Sequence, residues 1–376
     1  MNIYLDNAAT TRIDPRVAEV MIPYLGEKFG NASSVHSFGR ESRSAIEKAR
    51  KKIADLINAR PAEIVFTSGG TEADNMALIS IIRSHKVRSV VTSKLEHHAV
   101  LHTLQMLEKS GEIELLLLDN DKSGNLDFNQ LHLHLEKQPR SLVSLMQANN
   151  EIGNLYPVEE IAADVKERGG FFHSDTVQTA GKLHHDFSVW KSDFMIGSAH
   201  KFHGPKGVGF LAVSSDVQIP AYVTGGSQER NLRGGTENIM GIVGMAEALE
   251  LSLSELDSSF KHITRLKELF KARIAADIPG AAFNGMSAED NSLYTILNVS
   301  LPPSPHGEML LANLDIRGIA VSGGSACSSG SDIGSHVLLA IGADSFRPSV
   351  RFSFSKFNTE EEIQKAADEL SLLCKS

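Results

Sequence analysis

The sequence predicts an α/β protein built on parallel strands, and two observations predict it. Between residues 61 and 213, short β-branched or apolar runs alternate with stretches of helical period, the pattern of a parallel sheet covered by helices on both faces. The 376 residues, 41% hydrophobic and 22% charged, have the composition of a packed globular chain with room for two or three structural units.

The elements follow in order. Ile46, Ala49, Ile53, Leu56 and Ile57 recur at steps of three and four, so Ser37 to Asn58 is an amphipathic helix with one buried stripe. Seven candidate strands come next: Glu63 to Thr67, Arg88 to Thr92, Ile113 to Leu118, Leu142 to Gln147, Phe171 to Ser174, Asp193 to Gly197 and Val208 to Val213. Pro157 opens a helix to Arg168, because its missing N–H is unpaired at a first helical position in any case. After residue 250 come two long helical stretches, the run LYTILNVS, a helix from His306, the strand VRFSFS and a last helix from Thr359. This change of pattern marks a second, α+β unit.

Charge and composition exclude several function classes. With 37 Lys+Arg against 46 Asp+Glu, the net charge of -9 argues against nucleic-acid binding by overall attraction. The two cysteines, Cys327 and Cys374, cannot make a disulfide framework or a four-cysteine zinc site, which fits a reducing compartment. The N-terminus lacks a basic region ahead of an apolar core, and no apolar run reaches membrane-spanning length. A cytoplasmic protein is expected.

Four segments carry residues suited to chemistry. In EIVFTSGGTEADN a strand runs through a glycine turn at Gly70 into a helix, whose N–H groups and the Thr71 hydroxyl could face a phosphate. Read alone, the turn is better explained by helix capping. Asp175 in HSDTVQTAG stands at the end of a strand, where open α/β sheets bind ligands, although an Asp capping the next turn fits equally well. Ser198, His200 and Lys201 follow another buried strand; a lysine beside apolar surface can have its pKa lowered, as imine chemistry requires. Cys327 sits in the Gly/Ser-rich GGSACSSGS, an accessible setting for a thiol, whereas Cys374 carries no assigned role. His132, His134, His184 and His185 match no metal motif and are read as packing or surface residues.

Taken in chain order, these segments resemble the cysteine desulfurases, pyridoxal-phosphate-dependent enzymes of the class-V aminotransferase family. The resemblance rests on YLDNAATT, GNASSVH, EIVFTSGGTEADN, TSKLEHHAV, NNEIG, HSDTVQTAGK, GSAHKFHGPKGVGFL, RGGTEN, SGGSACSSG and VRFSFS, and so covers nearly the whole chain. It implies the pyridoxal-phosphate-dependent transferase type I fold: a large cofactor-binding α/β domain over 16–250 with a seven-stranded, mainly parallel sheet. A smaller α+β domain, 1–15 and 251–376, would carry the catalytic cysteine.

By the same resemblance Lys201 would hold pyridoxal 5'-phosphate as an imine, Asp175 would pair with the ring nitrogen and Gln178 would lie near the phenolic oxygen. His97 would stack on the ring and move protons, with Asn150 near ring and substrate. Gly70, Thr71, Ser198 and His200 would hold the phosphate, joined by Thr236 of a second subunit in a homodimer. Arg351, helped by Asn31, would bind the carboxylate of L-cysteine. Cys327 would take the sulfur as a persulfide for an acceptor protein serving iron–sulfur cluster assembly or tRNA thiolation, and alanine would leave. The ending CKS implies doubtful docking of a scaffold, and RGGTEN leaves the acceptor open. The competing readings are a selenocysteine lyase, a thiol hydrolase using Cys327 with His336, and a non-catalytic sulfur carrier.

Overall fold

The computed structural model describes residues 2–304, 307–323 and 334–375. The chain begins with β1 (Ile3–Tyr4), and the seven candidate strands become β2 (Ile64–Thr67), β3 (Ser89–Ser93), β4 (Glu114–Leu118), β5 (Leu142–Ser144), β6 (Phe171–Ser174), β7 (Phe194–Ser198) and β8 (Gly209–Val213). They form one sheet in the order β2-β8-β7-β6-β5-β3-β4. Only β8 runs antiparallel to its neighbours, so the sheet is mainly parallel.

Helices cover both faces, which is why the strands read as unbroken apolar runs. On one side, α1 (Pro15–Met21), α2 (Ser37–Leu56) and later α7 (Ile239–Ser254) pack with Phe66, Val143 and Phe172. On the other, α3 (Gly70–His85) and α4 (His98–Lys109) pack with Val65, Val90 and Ile196. Between β4 and β6 run α5 (Phe128–Lys137) and α6 (Val158–Glu167). Pro157 caps α6 from outside at ψ 61° and is not its first residue, a correction of one position. Strand β5 is shorter than expected: the chain leaves the ladder after Ser144, although Gln147 N–H still bonds the Asp175 carbonyl at 3.0 Å.

The later part gives α8 (Leu256–Asp277), β9 (Ala282–Phe283), β10 (Ile296–Ser300), α9 (Leu310–Ile316), β11 (Ile319–Ala320), α10 (His336–Ala340), β12 (Ser349–Ser353) and α11 (Glu360–Lys375). The expected helix start at His306 lies outside the described residues; the helix itself is α9, preceded by a 3₁₀ turn. Strand β1 pairs with β11, and Asp6 bridges to Ser353, so the first residues join a third apolar cluster with Phe270, Leu297 and Phe352. Val337 and Ile341 beside α10 instead pack into the large cluster around Phe172. The N-terminal segment reaches the C-terminal end of β7, where Thr11 bonds the His200 carbonyl, while α10 lies beside the start of α4, with His336 against His98.

Candidate active site

Strand β7 ends at Ser198 and tightens into a single 3₁₀ turn, Ala199–Lys201. The turn places the Lys201 amine under the segment after β1: Nζ donates to the carbonyls of Ala8 at 2.6 Å and Ala9 at 2.9 Å. That segment is tied down by the Thr11 N–H and hydroxyl, which both donate to the His200 carbonyl at 2.8 and 2.9 Å. The strap explains why YLDNAATT belongs to the site although its side chains carry little chemistry.

One strand over, Asp175 follows β6, and its Oδ1 accepts the Val177 N–H at 2.9 Å. Burial raises its pKa against the opposing pull of that N–H and of Lys201. A cation placed on the carboxyl would favour the charged form. Gln178 donates Nε2 to the Ala8 carbonyl at 3.0 Å. A Cβ on Gly70 would meet Val177 Cγ2 at 2.7 Å, so the start of α3 sits directly against this loop.

His97 caps α4, its Nδ1 accepting the Ala99 N–H at 3.1 Å. In a neutral ring this leaves the proton on Nε2. Burial first, then the Lys201 charge, lower its pKa to about 4, so the ring is neutral at pH 7. Arg351, on β12, is 2% exposed; Nη1 donates to the Asn150 carbonyl at 3.0 Å and Nη2 to Asp6 Oδ1 at 2.9 Å. Its Nε, fully buried, has no hydrogen-bond partner among the described residues. Arg351 and Asp6 thus form a largely buried ion pair rather than a surface one.

These groups meet in one cavity of about 230 Å³, whose wall includes Lys201, Asp175, Gln178, Asn150, His97, Gly70, Thr71, Ser198, His200 and Arg351. Two expected residues do not reach it within this chain. Asn31 is exposed, with Oδ1 accepting the Ser33 N–H at 2.8 Å, and Thr236 is exposed beside Glu237 and Phe66 in a separate depression. Cys327 lies outside the described residues.

The cavity also has wall residues that sequence reasoning missed, Asp74, His98 and Glu151, and it includes His336, the base named in the thiol-hydrolase reading. Asp74 was findable, since it follows Gly70 by four positions on α3 and so shares its face. It is buried, 3.4 Å from His173 Nε2, and burial together with the Asp175 charge raises its pKa well above the usual carboxylate range. Glu151 is buried, accepts the Ser335 hydroxyl and has its pKa raised by burial. His336 donates Nε2 to the Glu96 carbonyl at 2.9 Å and meets His98 Nε2 through Nδ1 at 3.0 Å. With both ring nitrogens engaged it is poorly suited to be a thiol's base.

An amine, a buried carboxyl, a neutral imidazole, an unpaired guanidinium N–H and a helix N-terminus around one cavity form a set that fits pyridoxal phosphate and an amino acid. A family model described as aminotransferase class-V matches residues 3–366. Two relatives are each 44% identical to this chain. The putative cysteine desulfurase IscS 1 of Bacillus subtilis (strain 168) aligns over 97% of this chain and 96% of its own length. The cysteine desulfurase IscS of Dictyoglomus turgidum aligns over 98% and 93%. The chain belongs to the cysteine desulfurases of the class-V aminotransferase family. A solved structure titled NifS-like protein superposes on this cysteine desulfurase chain with a TM-score of 0.92, at 36% identity, covering 100% of both chains. The NifS-like protein from Rickettsia africae ESF-5 does so at 0.89 and 29%, again over 100% of both. Among the described residues no helix is long and apolar enough to cross a membrane.

Proposed function

We propose that this chain removes sulfur from L-cysteine with pyridoxal phosphate held at Lys201, giving L-alanine and a persulfide on Cys327. The observation that carries the reading is the convergence of Lys201, Asp175, His97 and Arg351 on a single cavity. When bound, pyridoxal phosphate supplies an electron sink for the charge left on the substrate Cα. Asp175 would present its carboxyl to the ring nitrogen, Gln178 its amide to the phenolic oxygen, and Gly70, Thr71, Ser198 and His200 would hold the phosphate.

Arg351 binds the substrate carboxylate, using the guanidinium edge that Asp6 and Asn150 leave unpaired. Asn150 lies beside ring and substrate. The Cα proton would go to the Lys201 amine: His97 at neutral pH already carries its single proton on Nε2 while Nδ1 is occupied, so it would stack on the ring and donate. The Cys327 thiolate then attacks the substrate sulfur; the new S–S bond forms as the C–S bond breaks. The domain division at 16–250 against 1–15 with 251–376 belongs to this reading, supported by the separate cluster around Phe270 and Phe352.

The exposed Thr236 and Asn31 fit a homodimer in which Thr236 completes the phosphate site of the partner subunit and Asn31 assists substrate binding. The acceptor is a protein of iron–sulfur assembly or tRNA thiolation, and the compartment is the cytoplasm. Incubating the protein with L-cysteine and pyridoxal phosphate tests the reading. Alanine should form in step with protein-bound persulfide, and Cys327→Ala should abolish the persulfide; undiminished sulfur release from that variant would refute the nucleophile.

A further inference from the structure

Two cavities share Lys201 as part of their walls. One is the cofactor-sized cavity; the other, of about 30 Å³, also has Asn7, Thr11, Lys182 and Thr295 in its wall. That volume is enough for an ordered water when polar partners are present. Such a partner is waiting: Thr295 is 4% exposed, yet its Oγ1 has no hydrogen-bond partner among the described residues. A buried hydroxyl left without a hydrogen bond is destabilising, and a water here removes that penalty.

Lys182 shares this small cavity with Lys201 and is linked to it by a second route. Its Nζ donates to Gln178 Oε1 at 3.2 Å, Gln178 Nε2 donates to the Ala8 carbonyl at 3.0 Å, and that carbonyl also accepts Lys201 Nζ at 2.6 Å. The Gln178 link fixes position, because an amide does not readily pass protons. The cavity supplies the mobile part. Burial, and then the Lys201 and Arg351 charges, bring Lys182 from 10.5 down to about 7, which lets it gain and lose a proton near neutral pH.

We propose that the small cavity holds an ordered water on Thr295 Oγ1 and that this water carries protons between the Lys201 and Lys182 amines. Once Lys201 has taken the Cα proton, its ammonium gives one proton to the water, and the water gives one to neutral Lys182. One proton moves, no electrons move, and Lys201 is restored as a neutral amine. Lys182 acts through Lys201 and is a positioning and relay residue. The inference rests on the reading of Lys201 as the reactive amine.

The first test is a high-resolution crystal structure of the protein without cofactor. A water within hydrogen-bond reach of Thr295 Oγ1 is expected, lost in Thr295→Val. The second uses L-cysteine deuterated at Cα: Lys182→Arg keeps a hydrogen-bonding cation but stays protonated, cannot accept a proton, and should raise severalfold the deuterium retained in alanine. A merely structural lysine would leave that retention unchanged. A wild-type cavity without the water, or equal retention in wild type and Lys182→Arg, overturns the proposal. Formation of the visible cofactor band in the wild type is the control, since its failure would defeat the Lys201 reading instead.

Discussion

Arg351 and Asp6 form an ion pair at 2.9 Å in which the guanidinium is 2% exposed. The pair holds one edge of the fork and leaves Nε without a hydrogen-bond partner among the described residues, so the guanidinium is already positioned before substrate arrives. Arg351→Lys keeps the charge but loses the planar fork. A charge-assisted hydrogen bond is worth about 1.5–3 kcal/mol, so KM for cysteine should rise about tenfold or more, while the protein stays folded. Steady-state kinetics with a circular-dichroism control check this; an unchanged KM would remove Arg351 from the substrate site.

A second prediction concerns stability at low pH. His185 is buried edge-on to Trp190, bonds Gln147 Oε1 at 2.8 Å, and has its pKa lowered by burial from 6.5 to about 4. The unfolded state therefore binds a proton that the folded state refuses, and stability is lost as pH falls through this window. The advantage of wild type over His185→Gln should shrink by up to about 1.4 kcal/mol per pH unit between the unfolded and folded values. Urea unfolding of both proteins across that range measures it, and a pH-independent difference would contradict the burial argument.

Arg50 and Glu229 make an enclosed ion pair, two bonds of 2.8 Å between side chains 4% and 3% exposed, and Glu229 also accepts the Phe66 N–H at 2.8 Å. Removing one partner strands a charge, so Glu229→Ala should destabilise by about 3–5 kcal/mol. The Arg50→Met, Glu229→Met double variant should recover part of the loss; equal or greater destabilisation would show that Phe66 N–H is the costlier orphan.

Thr236 gives a test across subunits, because in one chain it lies away from the cavity. In the proposed homodimer, the Lys201→Ala and Thr236→Ala variants should each bind pyridoxal phosphate poorly. A mixed dimer should contain one site free of both substitutions if Thr236 serves the partner. Recovery of activity on mixing is expected, and its absence would contradict a role for Thr236 in the partner subunit's site.

The sequence made some features legible and hid others for physical reasons. Strands such as Phe194–Ser198, buried on both faces, leave an apolar run that any reader sees, and Lys201 and Asp175 stand where those runs end. The Ala8–Ala9 strap was hidden because it works through backbone carbonyls, which no side chain advertises. Asp74 and His173 meet from α3 and β6, a contact that depends on packing across the sheet. The small cavity behind Lys201 was equally invisible, since Lys182 and Thr295 come together only when the C-terminal part folds against β6 and β7.

The most direct measurement is to bind pyridoxal phosphate, fix any imine by borohydride reduction, and locate the adduct by peptide mass. The pyridoxyl mass should lie on Lys201 alone and vanish with Lys201→Ala. An adduct on Lys182, or none at all on a protein shown to be folded, would contradict the assignment of the reactive amine.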